Sequence, residues 1–130
     1  MSLNDPLSNV LSHILNCERK NIKETIIRPV SKITKKVLDI LKENYYLGDY
    51  EVSENKKGGQ IKLNLIGNIN KCGVIKPRFP VTVSEYEKFE KRFLPAKEIG
   101  ILIVSTSKGI MTHKEAIKNN LGGKLIAYCY

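Results

Sequence analysis

Five consecutive residues, Ser105-Thr106-Ser107-Lys108-Gly109, carry the densest polar chemistry in this 130-residue chain. Three hydroxyls, one ammonium group and a glycine follow an apolar run, Ile101-Leu102-Ile103-Val104, and precede a short helix that opens at Thr112. A turn of that make-up, placed between a buried strand and a helix N-terminus, offers donors to an anion or to the edges and phosphates of a nucleic acid. A second turn, Gly122-Gly123, follows the same helix. Without side chains at Gly109, Gly122 and Gly123, a sugar or a backbone can come close.

Catalysis has little to work with. The chain has two histidines, His13 and His113. His13 falls at the edge of a helical apolar stripe, and His113 is the second residue of a Thr112-His113-Lys114-Glu115 capping box. A Ser107–His113 pair is conceivable on spacing, but it has no acid partner and no oxyanion site beside it. A nucleotide-binding loop would share the logic of strand, hydroxyl turn and helix. However, G-x-x-x-x-G-K-[ST] is absent, as is a second, metal-holding acidic motif. The sequence therefore predicts no enzyme and no cofactor. Hydroxyls that donate and accept suit RNA better, because they read base edges and 2′-hydroxyls in a wide, shallow groove while Lys108 holds a phosphate. The plain alternative is a connection whose hydroxyls bond local amides.

Charge points the same way. There are 22 Lys+Arg against 13 Asp+Glu, a net +9, which favours a polyanionic partner. Between Arg19 and Lys36, seven basic residues stand against one acid, Glu24. The acids that would neutralise such a face are missing, so this stretch reads as a phosphate-contacting patch. Three widely spaced cysteines, Cys17, Cys72 and Cys129, fit buried thiols in a reducing compartment better than a disulfide framework or a zinc site. The N-terminus lacks the features of a signal peptide, and no apolar run approaches the roughly 20 residues of a membrane span. The expectation is a soluble, cytoplasmic protein.

The elements that must position these residues are legible as alternations and periods. Asp5-Pro6 opens a helix whose apolar face is Leu7, Val10, Leu11, Ile14 and Leu15. Glu24–Arg28 reads as a strand ended by Pro29, and Ser31 as the cap of a second helix with Ile33, Val37, Ile40 and Leu41 inward. Residues 49–54 and 60–65 alternate around the loop Asn55-Lys56-Lys57-Gly58-Gly59, which predicts an antiparallel hairpin with one wet face. The polar stretch Asn68–Lys71 marks a boundary. Beyond it, Cys72–Lys76 reads as a short strand. Ser84-Glu85-Tyr86-Glu87 reads as the capping box of a helix whose aromatic face, Tyr86, Phe89 and Phe93, belongs to a core. Gly100–Val104 is a buried strand and Leu125–Tyr130 the last one. The fold class is α+β in two small domains. Residues 1–68 form a helix-strand-helix-strand-strand layer. Residues 69–130 form a mainly antiparallel sheet with short helices, the domain that holds the hydroxyl turn suited to RNA.

The run Ser-Thr-Ser-Lys-Gly-Ile-Met-Thr-x-x-x-Ala from Ser105 to Ala116, with Gly122-Gly123-Lys124-Leu125-Ile126-Ala127-Tyr128, resembles the C-terminal signature of the family of small-subunit ribosomal protein eight. Asp5-Pro6-Leu7 with Leu11, Ile14 and Asn16, then Ser31-Lys32 and Leu41-Lys42-Glu43, are similar to that family's first two helices. The resemblance covers essentially the whole chain. Gly73-Val74-Ile75-x-Pro77-Arg78-Phe79, the 84–93 helix with Leu94-Pro95, and Lys124 resemble the archaeal and eukaryotic branch. The serine- and lysine-containing turn is closer to bacterial members, and that mixture points to an archaeal source.

The resemblance implies a structural constituent of the small ribosomal subunit. It would be a primary rRNA-binding protein on a helical element of the central domain that helps assemble the platform, monomeric when free and beside other small-subunit proteins. Some relatives also repress translation through an mRNA hairpin, which is the alternative function. By position, the family's main RNA contacts fall on Ser105, Thr106, Ser107, Lys108, Gly109, Gly122 and Gly123. Lys124 departs from the bacterial pattern and is expected to touch a phosphate or sugar. Arg28, Lys32, Lys56 and Lys57 are expected as contacts on charge alone.

Overall fold

A computed structural model describes residues 6–27, 32–53, 59–76, 78–96 and 99–130. The chain divides into two compact units, Met1–Asn70 and Lys71–Tyr130. Both combine helices with antiparallel sheet, so the fold is α+β.

In the first unit, α1 (Pro6–Arg19), β1 (Glu24–Ile27), α2 (Lys32–Glu43), β2 (Leu47–Ser53) and β3 (Gln60–Leu65) follow in that order. The sheet order is β1-β3-β2, antiparallel throughout. β3 sits in the centre and alternates cleanly. It buries Ile61, Leu63 and Leu65 and exposes Lys62 and Asn64. Leu7, Val10, Leu11 and Ile14 of α1 are buried, as are Val37, Leu38, Ile40 and Leu41 of α2. Each such side chain contributes about 1.5–3 kcal/mol relative to exposure. The inward face of α2 differs from the sequence reading at three positions. Ile33 is 38% exposed, whereas Thr34 and Leu38 are fully buried. The stripe is rotated toward 34, 37, 38 and 41, the i, i+3, i+4, i+7 spacing that the first turn's lone isoleucine had obscured. Tyr50 donates to Asp39, and burial together with this bond pushes its phenol up to about 12. The cap at Ser31 and the loop 55–58 lie outside the described residues.

The second unit contains β4 (Cys72–Val74), β5 (Pro80–Val81), a 3-10 turn (Val83–Glu85), α3 (Tyr86–Phe93), β6 (Ile101–Thr106), β7 (Gly109–Thr112), α4 (His113–Lys118) and β8 (Gly123–Cys129). The sheet runs β4-β8-β6-β7, and β5 pairs with β8 on the edge that β4 also uses. Ile75, Val81, Tyr86, Phe89, Leu94, Leu102, Val104, Ala116 and Leu125 form one core cluster, so Tyr86 and Phe89 are core residues. Phe93 is half-buried and stacks on Tyr128, ring centroids 5.8 Å apart. The Arg92 guanidinium lies 4.9 Å from the Phe79 ring and 5.4 Å from the Phe93 ring.

The start of α3 corrects the sequence reading. The glutamate that reaches back is Glu85, whose carboxylate accepts from the Thr82 N–H (3.0 Å) and hydroxyl (2.9 Å). These two bonds, the backbone one foremost, hold Glu85 below the usual carboxylate range. Thr82-x-x-Glu85 and Ser84-x-x-Glu87 both satisfy the motif, and the earlier one is used because the chain turns through a 3-10 segment before the helix.

Candidate nucleic-acid interface

The polar end of the second unit's sheet is built by β6, β7 and β8. Ile101–Val104 is almost fully buried, and Ser105 emerges as exposed. The chain then reverses. Thr106 pairs with Gly109, and Ser107-Lys108 forms the tip. This overturns the expectation of a strand-to-helix connection, because β7 is interposed and the result is a hairpin. The left-handed conformation that closes it falls on Gly109 (φ 116°), while Ser107 and Lys108 keep negative φ. Thr106 Oγ1 donates to the Gly109 carbonyl (2.8 Å) and accepts from the Lys108 N–H (3.2 Å), so this hydroxyl braces the tip from within. Among the described residues, the Ser105 and Ser107 hydroxyls have no protein partner, and Ser107 and Lys108 are exposed.

The double glycine arrives at the same place. α4 ends with Asn120 in the left-handed region (φ 59°) and Leu121 N–H donating to the Ala116 carbonyl, 2.8 Å. The Tyr86 hydroxyl then donates to the Leu121 carbonyl at 2.9 Å. Gly122 follows, and Gly123 and Lys124 open β8 instead of forming a turn. Gly123 is opposite Thr106, and Lys124 is opposite Ser105. A Cβ at Gly123 would lie 2.1 Å from the Ser105 carbonyl oxygen, and one at Gly122 would lie 2.7 Å from that of Val81. The sequence reading had these glycines admit a partner, but they are required first by the protein's own strands. Of Gly109, Gly122 and Gly123, Gly109 alone faces open space, and there the positive φ demands glycine.

Ser105, Thr106, Ser107, Lys108, Gly109, Gly122, Gly123 and Lys124 thus share one sheet end. On one face the register aligns Ile110, Ser105, Lys124 and Pro80 in a row across four strands. Thr82 is exposed beside Gly122, its Cα 3.3 Å from where a Gly122 Cβ would be, and its hydroxyl is engaged with the Glu85 carboxylate (2.9 Å) and the Ser84 hydroxyl (3.2 Å).

The helix after the hairpin does not point its N-terminus at the tip. Thr112 caps α4 by accepting from the Glu115 N–H at 3.3 Å. β7 separates this cap from Ser107, which removes the strand–turn–helix arrangement of a phosphate cradle. His113 is 1% exposed. Its Nδ1 accepts from the Leu102 N–H at 3.1 Å, and its Nε2 lies 3.7 Å from Glu90. Burial lowers the imidazole's pKa, with Glu90 opposing. This histidine ties β6, α3 and α4 together and is not available to Ser107. Among the described residues no His, Cys, Asp and Glu group could hold a metal ion. No helix among them is long and apolar enough to cross a membrane.

In the first unit, Lys32 is exposed at the start of α2, next to half-buried Lys35 and exposed Lys36. None of the three makes an ion pair among the described residues, whereas Lys42 and Lys62 are paired with Asp49 and Glu24. Arg28, Lys56 and Lys57 lie outside the described residues.

The chain is a basic α+β protein of two units, with exposed hydroxyls and lysines gathered at one end of the second unit's sheet and His113 committed to packing. A family model described as Ribosomal protein S8 matches residues 5–130. The chain belongs to that family, so it is a ribosomal protein of the small subunit that binds rRNA, and the family is structural, not enzymatic.

Proposed function

We propose that the sheet end formed by Ser105–Gly109 and Gly122–Lys124 is the protein's principal rRNA contact. Its target is a helical element of the central domain, and binding there helps assemble the subunit's platform in the cytoplasm. One observation carries this reading. The registers Ser105↔Lys124 and Thr106↔Gly123 bring two motifs that are separate in sequence onto one end of the sheet. Hydroxyls at Ser105 and Ser107 suit 2′-hydroxyls and base edges of a shallow groove, and Lys108 and Lys124 suit the phosphates that border it. The unpaired Lys32, Lys35 and Lys36 supply non-specific attraction.

The test is binding of the protein and of its Ser105→Ala and Ser107→Ala variants to a central-domain transcript and to an arbitrary duplex of equal length. Each variant is expected to weaken the transcript complex by about 1 kcal/mol, roughly fivefold, and the arbitrary duplex much less. Equal losses on both RNAs would overturn recognition by this edge.

A further inference from the structure

The first and last strands of the second unit meet through two cysteines. Cys72 opens β4, Cys129 closes β8, and the two are direct cross-strand partners. Beside them, Lys71 and Tyr130 exchange both backbone hydrogen bonds, each 2.9 Å. An antiparallel ladder alternates such pairs with pairs that exchange none. Cys72 and Cys129 therefore form the closer kind, with Cα atoms about 4.5 Å apart and both side chains on one face. That spacing lies within the roughly 4.4–6.8 Å that a disulfide spans. Both thiols are reduced and buried, at 4% and 0% exposure. β4 is a three-residue edge strand bonded to β8 alone among the described strands, which makes it the element whose local opening admits a small oxidant. The third cysteine, Cys17, lies in the other unit with its Sγ 3.7 Å from His13 Nε2.

We propose that Cys72 and Cys129 are an oxidation site, a dithiol that closes to an intramolecular disulfide when the protein meets a peroxide. One sulfur, as thiolate, attacks a peroxide oxygen. The O–O bond breaks, leaving a sulfenic acid and, after proton uptake, one water. The second sulfur displaces the sulfenic oxygen as a second water, and the S–S bond forms. Two electrons pass from the sulfurs to the peroxide, and the two thiol protons leave in the waters. The product joins the first strand of the unit to its last, closing nearly the whole unit in one covalent loop. This restricts the unfolded chain more than the folded one.

The experiment exposes the reduced full-length protein to hydrogen peroxide and then alkylates it in denaturant. Intact mass, peptide mapping and the melting midpoint are measured. The expected product is monomeric, lighter by about 2 Da before alkylation, with one alkylated thiol at Cys17, linked Cys72 and Cys129 peptides and a raised midpoint that reductant reverses. Cys72→Ser is expected to give no intramolecular link. Should that variant not fold, the peptide map of the natural sequence decides alone. Three alkylatable thiols after treatment, overoxidised cysteines without a 72–129 link, or cross-linked dimers as the main product would overturn the proposal.

Discussion

At the scale of single residues, the sheet end separates side chains that hold it together from side chains with no protein partner among the described residues. Thr106 and Ser107 are adjacent hydroxyls with opposite fates. Thr106 Oγ1 is spent on the Gly109 carbonyl and the Lys108 N–H, and Ser107 has no protein partner among the described residues. Thr106→Val should therefore loosen the tip and lower the protein's own stability, by about 0.5–1.5 kcal/mol for the lost bonds. Ser107→Ala should leave the melting midpoint in place while weakening RNA binding. Denaturant titration alongside RNA titration distinguishes the two. Gly123 gives the sharper case. A methyl group there meets the Ser105 carbonyl at 2.1 Å, so Gly123→Ala should force β6 and β8 apart and cost about 1–3 kcal/mol or more. A Gly123→Ala protein with natural stability would show that the strands are not packed that closely. None of this division was legible in the sequence. Residue types announced hydroxyls and glycines, but which hydroxyl is already bonded depends on the register of the β6–β7 hairpin.

At the scale of elements, long alternations and periods were the legible part. α1 with its i, i+3, i+4, i+7 face and β3 at residues 60–65 are where the pattern placed them, because each has one buried face wide enough to impose its period. The short elements were not legible. β7 has four residues, and Ile110-Met111 alone cannot show an alternation, so Ser107-Lys108-Gly109 read as a strand-to-helix turn. Gly122 and Gly123 read as a turn because glycine usually marks one, whereas the closeness of the Ser105 backbone makes glycine the residue a strand needs at 123. His113 read as part of a cap, and its bond to Leu102 depends on contacts 11 residues apart.

That histidine carries a pH prediction. Its native pKa lies below the ordinary value, so above about pH 6.5 it is neutral in both states and its contribution is intact. As pH falls below that value, the unfolded chain binds a proton that the native state resists. Protonation of Nδ1 would also leave the Leu102 N–H without its acceptor. Stability of the second unit should fall progressively from about pH 6.5 toward the lowered native pKa. The Glu85 contribution, from a lowered carboxylate, is lost separately and at lower pH. His113→Gln should flatten the upper part of the profile in equilibrium unfolding experiments, whatever its effect on absolute stability. An unchanged slope between about pH 6.5 and 5.5 would mean that His113 titrates equally in both states.

At the scale of the molecule, a net charge of +9 favours long-range attraction to a polyanion, whereas neutral hydroxyls such as that of Ser107 can contribute only short-range hydrogen bonds. These two contributions respond differently to salt. Each phosphate neutralised by a lysine releases counterions on binding, so its loss lowers the magnitude of the slope of log K against log salt by about one unit or less. Loss of a neutral hydroxyl contact releases none and shifts the line without tilting it. A Lys32→Ala/Lys36→Ala double variant should therefore reduce the slope by up to about two units, on cognate and arbitrary RNA alike. Ser107→Ala should leave the slope unchanged and lower the line for the cognate RNA only. Lys62→Ala is the control. Its ammonium is already paired with Glu24 at 3.2 Å, so removing it leaves an uncompensated carboxylate and should tilt the line less than either α2 lysine. Binding isotherms at four or five salt concentrations suffice. If the α2 double variant binds with the slope of the natural protein, those lysines are solvated charges outside the interface, and the attraction must come from the lysines of the sheet end.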